Sequence, residues 1–276
     1  RSGLGNLLWI WAKGLIYAYD NDIMDQILNP RWNKVNYARY LRCDRDKRNY
    51  GSLFTKGTYI SGIQRSLVLI LYRINLVEVI EFAEMGEFSP LIGRHDFIKD
   101  RLKGIVTKEV ISNVDHLSGY IVVHVRLGDF SPADSEKIAS SSNMRIPISW
   151  YVSVIEMIRS VVGKNIPTVI YTDGTEEDVS ELLRVSNTSL NNTSNPLTSL
   201  FSMSTASFLV GSKSSFSLWA SFLGQVTTIY YPGGRPCEED VVVEKPHVSN
   251  EFEWIETEGV SEGLKQSLVN RYSNVG

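Results

Sequence analysis

Cysteine is scarce in this chain. Cys43 and Cys237 are the only two among 276 residues, far apart and without metal-ligand spacing, so neither a disulfide framework nor a zinc site is indicated. Long apolar runs are missing as well. "SLVLILY" at 66–72 and "YIVVHV" at 120–125 fall short of the ~18 to 20 residues that a membrane span needs, and no signal peptide is visible. Positive charge is not in surplus either: 28 Lys and Arg stand against 31 Asp and Glu, for a net charge of −3 and a pI near 5.9. That balance argues against the broad basic surface that nucleic-acid binding requires, though local cationic sites remain open. The opening "RSGLGN" has no methionine and no strand ahead of its glycine turn. The expectation is a piece of a longer polypeptide, with any anchor or neighbouring domain outside it.

What is present is enough apolar material, 43% of residues, to bury a core. From residue 116 onward short apolar strands alternate with amphipathic stretches, the pattern of a βαβ protein. It predicts strands at 119–125, 167–172, 207–210 and 226–231, and helices at 149–162, 175–185, 197–205 and 214–223. In "TEEDVSELLR" Thr175 stands as an N-cap with acidic residues in the first turn, which predicts a regular helix. The polar tract "SNTSLNNTSNP" at 186–196 reads as a loop; its sequons at Asn187, Asn191 and Asn192 would matter only in a secretory pathway. Before residue 116 the pattern is more mixed, with helices at 6–19 and 63–72 and a short element near 76–83. "RCDRDKRN" at 42–49 alternates charge and reads as a solvated face, and 258–272 reads as a terminal helix.

Four stretches carry chemistry. In "SGLGN" the glycines Gly3 and Gly5 precede a helix, where free backbone N–H groups and close approach suit a phosphate, and Asn6 adds an amide. "HVRLGDF" at 124–130 ends an apolar strand, and period-two alternation sends His124 and Arg126 the same way at its carboxyl edge. Open α/β sheets bind ligands at that edge. Arg126 can bind a phosphate bidentately, His124 can donate beside it, Gly128 allows a sharp turn, and Asp129 can hold either cation or take a proton. "VIYTDG" brings Thr172 and Asp173 to the same edge, where an Asp accepts from a base or ribose, or caps a turn. "FLVGSKSSFSLWASFLG" places Ser214 and Ser215 at a helix N-terminus, followed by Phe216. A structural Arg–Asp pair and ordinary serine capping explain the same residues one stretch at a time. Together, three strand ends of one sheet carry groups compatible with a phosphate or nucleoside.

The quoted motifs "GLGN", "HVRLGDF", "YTDG" and "SSFSLWASFLG" occur in the order, and at roughly the intervals, of the α1,2-fucosyltransferases, which the chain resembles over nearly its whole length. More distantly it is similar to the α1,6- and protein-O-fucosyltransferases. The resemblance implies an α/β fold of GT-B type, with two Rossmann-like domains facing a central cleft. Residues 1–115 would form an acceptor-side domain and 116–257 a nucleotide-sugar-binding domain. The terminal helix within 258–276 would pack back on the first. The implied activity is inverting, metal-independent transfer of L-fucose from GDP-fucose to a hydroxyl, the 2-OH, of a glycan acceptor, with no cofactor. The family leaves two compartments open, the cytoplasm, or the Golgi lumen if a missing segment tethers the domain.

Carried over by residue, Arg126 contacts the donor diphosphate and neutralises charge as GDP leaves. His124, Gly128 and Asp129 match the rest of the H-x-R-R-G-D motif. Gly3, Gly5 and Asn6 match the opening loop facing the nucleotide, while Ser214, Ser215 and Phe216 match the segment lining phosphates and guanosine. Asp173, with Thr172 beside it, falls where the family keeps an acidic residue. Leu127 replaces the second arginine, Leu7 a glutamine and Leu218 a tryptophan, so another GDP-sugar or a non-catalytic glycan-binding module is the alternative. Alternation turns position 127 away from 126, which makes its change a structural one. Asp129, Asp20 and Asp22 are the candidate bases. "DND" at 20–22 and "DRD" at 44–46 satisfy the D-x-D pattern of metal-dependent glycosyltransferases, but neither follows a strand.

Overall fold

In the computed structural model, residues 3–30, 32, 49–55, 59–82, 89–132, 144–231 and 262–273 are described. Cys43, Cys237, most of "RCDRDKRN" and the "DRD" tripeptide lie outside them. The chain divides into two compact units, Arg1–Ser112 and Asn113–Gly276.

The first unit is helical. Helix α1 runs Leu4–Asp20, α2 Gly62–Arg73, α3 His95–Ile105 and α4 Lys108–Ser112. In α1 the buried residues Leu4, Leu8, Trp11, Leu15 and Ala18 recur at alternating spacings of four and three, one face of a 3.6-residue period. Trp11 Nε1 donates to the Tyr59 hydroxyl at 2.9 Å, which gives a buried indole its partner. The same spacing buries Ile98, Leu102 and Ile105 of α3. Helix α2 forms where the sequence predicts it, yet none of its residues is buried. Residues 76–82 carry neither helix nor strand, against the short element expected there. Among the described residues this unit has no strand; isolated bridges such as Leu28–Ile60 and Phe54–Val106 occur instead. The Rossmann-like sheet expected for the N-terminal half is therefore not present among them; its apolar runs are spaced for helices.

The second unit carries a five-stranded parallel sheet in the order β3-β2-β1-β4-β5. The strands are β1 Ile121–Val125, β2 Thr168–Thr172, β3 Thr188–Leu190, β4 Phe208–Val210 and β5 Thr228–Ile229. They alternate with helices α5 Ile148–Val162, α6 Ser180–Leu183, α7 Pro196–Met203 and α8 Ser215–Gly224, and α9 Glu262–Ser273 closes the unit. All of β1 is buried, as a central parallel strand covered on both faces must be. Ile121, Val123 and Val125 join Trp150, Val154 and Ile158 of α5 in one core. Leu268 and Tyr272 of α9 belong to that core too, and the Tyr272 hydroxyl donates to the Tyr120 carbonyl at 3.2 Å. The terminal helix, for which a return to the first unit was one expectation, thus buries these side chains in the second.

Three elements differ from the pattern-based reading. The stretch after Thr175 is a 3₁₀ turn at Glu177–Val179 followed by the short α6. Thr175 does cap it, its Oγ1 accepting from Asp178 N at 3.3 Å. Only Val179 and Leu182 there are buried, however, and packing rather than propensity sets helix length. The polar tract at 186–196 contains β3, because Thr168 N donates to the Asn187 carbonyl at 2.9 Å and Asn191 N to the Ile170 carbonyl at 2.8 Å. A short edge strand needs main-chain pairing, not an apolar pattern. Strand β5 is shorter than the apolar run 226–231 that announces it. Among the described residues no helix is long and apolar enough to cross a membrane.

Candidate functional site at the carboxyl edge of the sheet

Because β1 lies between β2 and β4, the turns that follow these three strands adjoin. Beyond Val125 the chain closes a turn in which Phe130 N donates to the Leu127 carbonyl at 3.1 Å. Arg126 stands at its start, between two carboxylates: Nη2 reaches Asp129 Oδ1 at 2.6 Å and Nη1 reaches Asp173 Oδ2 at 2.7 Å. Its guanidinium lies 5.5 Å from the Phe130 ring centroid, within cation–π range. The Arg126 side chain keeps 20% of its surface, so it is held and still reachable.

Asp173 ties the two turns together. Its Oδ1 accepts from Leu127 N at 2.8 Å and from Gly128 N at 3.2 Å while Oδ2 holds Arg126. Position 128 has to be glycine for this, since a β-carbon there would run into the Asp173 carboxylate. Gly174 answers on the other side, where a β-carbon would lie 2.5 Å from Leu127 Cδ1. Thr172 Oγ1 accepts from Gly174 N at 3.0 Å and closes that turn. Leu127 is 5% exposed and sits in the same apolar core as Val125. Arg145, just before α5, donates from Nε to the carbonyls of Leu127 and Phe130, at 3.0 Å each.

His124 takes the opposite face of the sheet from Val123 and Val125, and meets the turn between β4 and α8. Its Nδ1 is 2.6 Å from Ser217 Oγ and 3.0 Å from Ser212 Oγ, and Ser212 N donates to Ser217 Oγ at 3.1 Å. Its ring centroid lies 5.5 Å from that of Phe216. Burial pushes the imidazole down to about 4; the Asp173 carboxylate opposes the shift and the Arg126 cation adds to it. His124 is therefore neutral near pH 7 and fastens β1 to α8 instead of presenting a charge. Ser214 caps α8, its Oγ accepting from Phe216 N at 3.2 Å, and Ser215 is the first helical residue. Lys213, 7% exposed, stands in the same turn.

The structure thus brings His124, Arg126, Gly128, Asp129, Thr172, Asp173, Ser214, Ser215 and Phe216 to adjoining strand ends. Gly3, Gly5 and Asn6 belong to the first unit, where α1 starts two residues earlier than its pattern suggests. Gly3 is its N-cap, and Gly5 and Asn6 stand in its first turn. Asp20 pairs with Arg94 at 2.7 Å, and Asp22 has a left-handed backbone with φ of 56°. Sequence reasoning misses Arg145, Ser212, Lys213 and Ser217. The run "GSKSS" opening a helix does signal Lys213, whereas nothing local ties Arg145 to a turn fifteen residues before it.

A cavity of about 400 Å³ in this unit is lined by Asp115, Tyr120, Val169, Leu190 and Asn191 among others. It holds none of the strand-end residues, and the concentration of charge lies at the strand ends. Among the described residues no group of three or more His, Cys, Asp or Glu could hold a metal ion.

No family model matches the chain, and no curated protein does. Among solved structures, the fucosyltransferase NodZ from Bradyrhizobium is similar at 16% identity, over 82% of this chain and 91% of that one, with a TM-score of 0.47. NodZ alpha-1,6-fucosyltransferase soaked with GDP-fucose is similar at 18% identity, over 84% of this chain and 92% of that one, with a TM-score of 0.46. POFUT1 in complex with GDP is similar at 13% identity over 49% of each chain, with a TM-score of 0.31. These similarities are remote, and the functional reading rests on the chain's own motifs and the geometry of its strand ends.

Proposed function

We propose that this chain is a glycosyltransferase of GT-B type that moves L-fucose from GDP-fucose to a hydroxyl, the 2-OH, of a glycan acceptor. The reaction inverts the anomeric centre and uses no metal. The observation that carries this reading is Arg126, held between Asp129 and Asp173 at the carboxyl end of the central strand. An anion arriving there competes for a guanidinium that is already oriented, with both terminal nitrogens engaged by oxygens. A diphosphate offers the same bidentate geometry as the carboxylates.

As the sugar–phosphate bond lengthens, negative charge grows on the leaving diphosphate, and a fixed cation stabilises it there more than in the ground state. The N–H groups of the first turn of α8, beside Ser214 and Ser215, add partial positive charge across from it. Phe216 and His124 supply the apolar and neutral polar wall on that side. Asp129, released from Arg126 as the diphosphate arrives, is the base this reading assigns to the acceptor hydroxyl. Asp173 holds Arg126 through Oδ2 and the Leu127 and Gly128 amides through Oδ1, so this reading gives it a positioning role within the donor site. In this reading residues 1–115 form the acceptor-side domain and 116–257 the donor domain.

The test is a thermal-shift panel of GDP, UDP, CDP and ADP, followed by release of GDP from GDP-fucose with and without glycans. Ligand at a hundred times its dissociation constant should stabilise the native state by about 2.7 kcal/mol. GDP alone among the four is expected to do so. A preference for UDP, or no response to any, overturns the reading. GDP bound without turnover makes the chain a binding module.

A further inference from the structure

The strand ends carry more negative than positive charge for a site that is to hold a diphosphate. On the side of β1 and β2, Arg126 faces Asp129 and Asp173, two carboxylates against one guanidinium. Asp178 adds a third carboxylate, turned back on Thr175 N and Oγ1 at 2.7 and 2.8 Å, next to Gly174. Position 127 contributes no cation, because Leu127 is an apolar residue buried in the core.

One further cation reaches this turn. Arg145 is fixed at the entrance to α5, where Arg145 N donates to the Ser131 carbonyl at 2.9 Å. Its Nε lies 3.0 Å from the carbonyl oxygens of Leu127 and Phe130, residues that flank Gly128 and Asp129. Unlike Arg126, it meets no carboxylate among the described residues, and its two terminal nitrogens make no hydrogen bond there. Carbonyl contacts orient a guanidinium without neutralising it, so the charge is available to an anion. The side chain is half-buried, which lowers its solvation and strengthens its pull on a nearby phosphate.

We infer that Arg145 is a second diphosphate-binding arginine, brought from the start of α5 to the main chain of position 127, where the side chain itself is a leucine. This rests on the proposed function. Arg126 provides the fork held in reserve between carboxylates, and Arg145 provides a positive charge not paired with a carboxylate among the described residues, available to the donor phosphates at the turn. Its terminal nitrogens, not its Nε, meet the phosphate oxygens.

Calorimetric titration of the whole chain with GDP and with guanosine tests this. Arg145→Gln is expected to weaken GDP about tenfold to a hundredfold, the range for one charge-assisted hydrogen-bonding pair, and to leave guanosine affinity unchanged. Arg145→Lys, which keeps the charge, should retain most of the GDP affinity. If Arg145→Gln binds GDP like the unaltered chain, or loses GDP and guanosine equally, the inference fails, the second outcome marking a structural role. Should Arg145→Gln not fold, Arg145→Met decides by the same reading: a loss confined to GDP supports the role, and no loss or an equal loss for both ligands overturns it. Failure of the unaltered chain to bind GDP would instead overturn the proposed function, and is seen before any variant is made.

Discussion

Gly128 and Asp173 interlock. The Gly128 amide donates to Asp173 Oδ1 at 3.2 Å, in a space that a β-carbon at 128 would have to share with the same carboxylate. Gly128→Ala is therefore expected to push Asp173 off the turn and release Arg126. Overpacking of this kind costs roughly 1–3 kcal/mol. Chemical denaturation and GDP titration together should show both a lower midpoint and weaker binding. An alanine variant as stable and as tight as the unaltered chain would mean that the two turns are not locked.

Asp173→Asn separates positioning from contact. The amide oxygen can still accept from Leu127 N and Gly128 N, but its –NH₂ group faces Arg126 where a carboxylate oxygen stood. Transfer is expected to fall tenfold or more, in the range for loss of a charged hydrogen bond. Guanosine affinity should not change. Loss of guanosine affinity would return Asp173 to the nucleoside contact that the sequence alone allows.

The strand ends were legible because their chemistry is local. "HVR" and "YTD" each put apolar residues and polar ones in consecutive register on a buried strand, so their meeting at one sheet edge follows from the βαβ order. The partners of those residues were not legible. His124 and Arg126 were expected side by side, yet β1 ends at Val125, so only His124 is bound by strand geometry and faces α8. Ser212 and Ser217 bind it across 88 and 93 residues of sequence, and no pattern encodes such a pairing. β3 is not legible in the sequence for a different reason: an edge strand of Thr, Ser and Leu owes its existence to main-chain bonds with β2, which composition does not report. α2 reversed the usual inference, since its apolar run formed the predicted helix but buries none of its residues.

His124 gives the fold a pH dependence of known sign. Burial lowers its folded-state value to about 4, below the ordinary 6.5 of an exposed imidazole, so the unfolded chain binds the proton more readily. The stabilisation is fully present above pH ~6.5 and is lost as pH falls toward 4, on the order of 3 kcal/mol across that window. Urea denaturation at pH 7 and pH 5 should show the loss, and His124→Gln should reduce the slope by one proton. An unchanged slope would place the protonation elsewhere.

Arg126 carries the heaviest demand, and its replacement by lysine is the sharpest test of how it acts. Lysine keeps the charge and loses the planar fork, so it can reach one of Asp129, Asp173 or a phosphate oxygen at a time, not a pair. If the arginine worked only by attracting the donor, Arg126→Lys would raise KM for GDP-fucose and spare kcat. If instead it stabilises charge that appears as GDP departs, the loss falls on kcat, by about 10²–10³-fold for one preorganised donor. The structure favours the second outcome. Two carboxylates already hold Arg126 at 2.6 and 2.7 Å, so much of its attraction for a ground-state diphosphate is offset by the partners it must leave. What remains in its favour is orientation, and orientation tells most where charge is still developing. Steady-state kinetics of Arg126→Lys and Arg126→Ala against the unaltered chain read the split directly, with a KM effect alone counting against transition-state stabilisation.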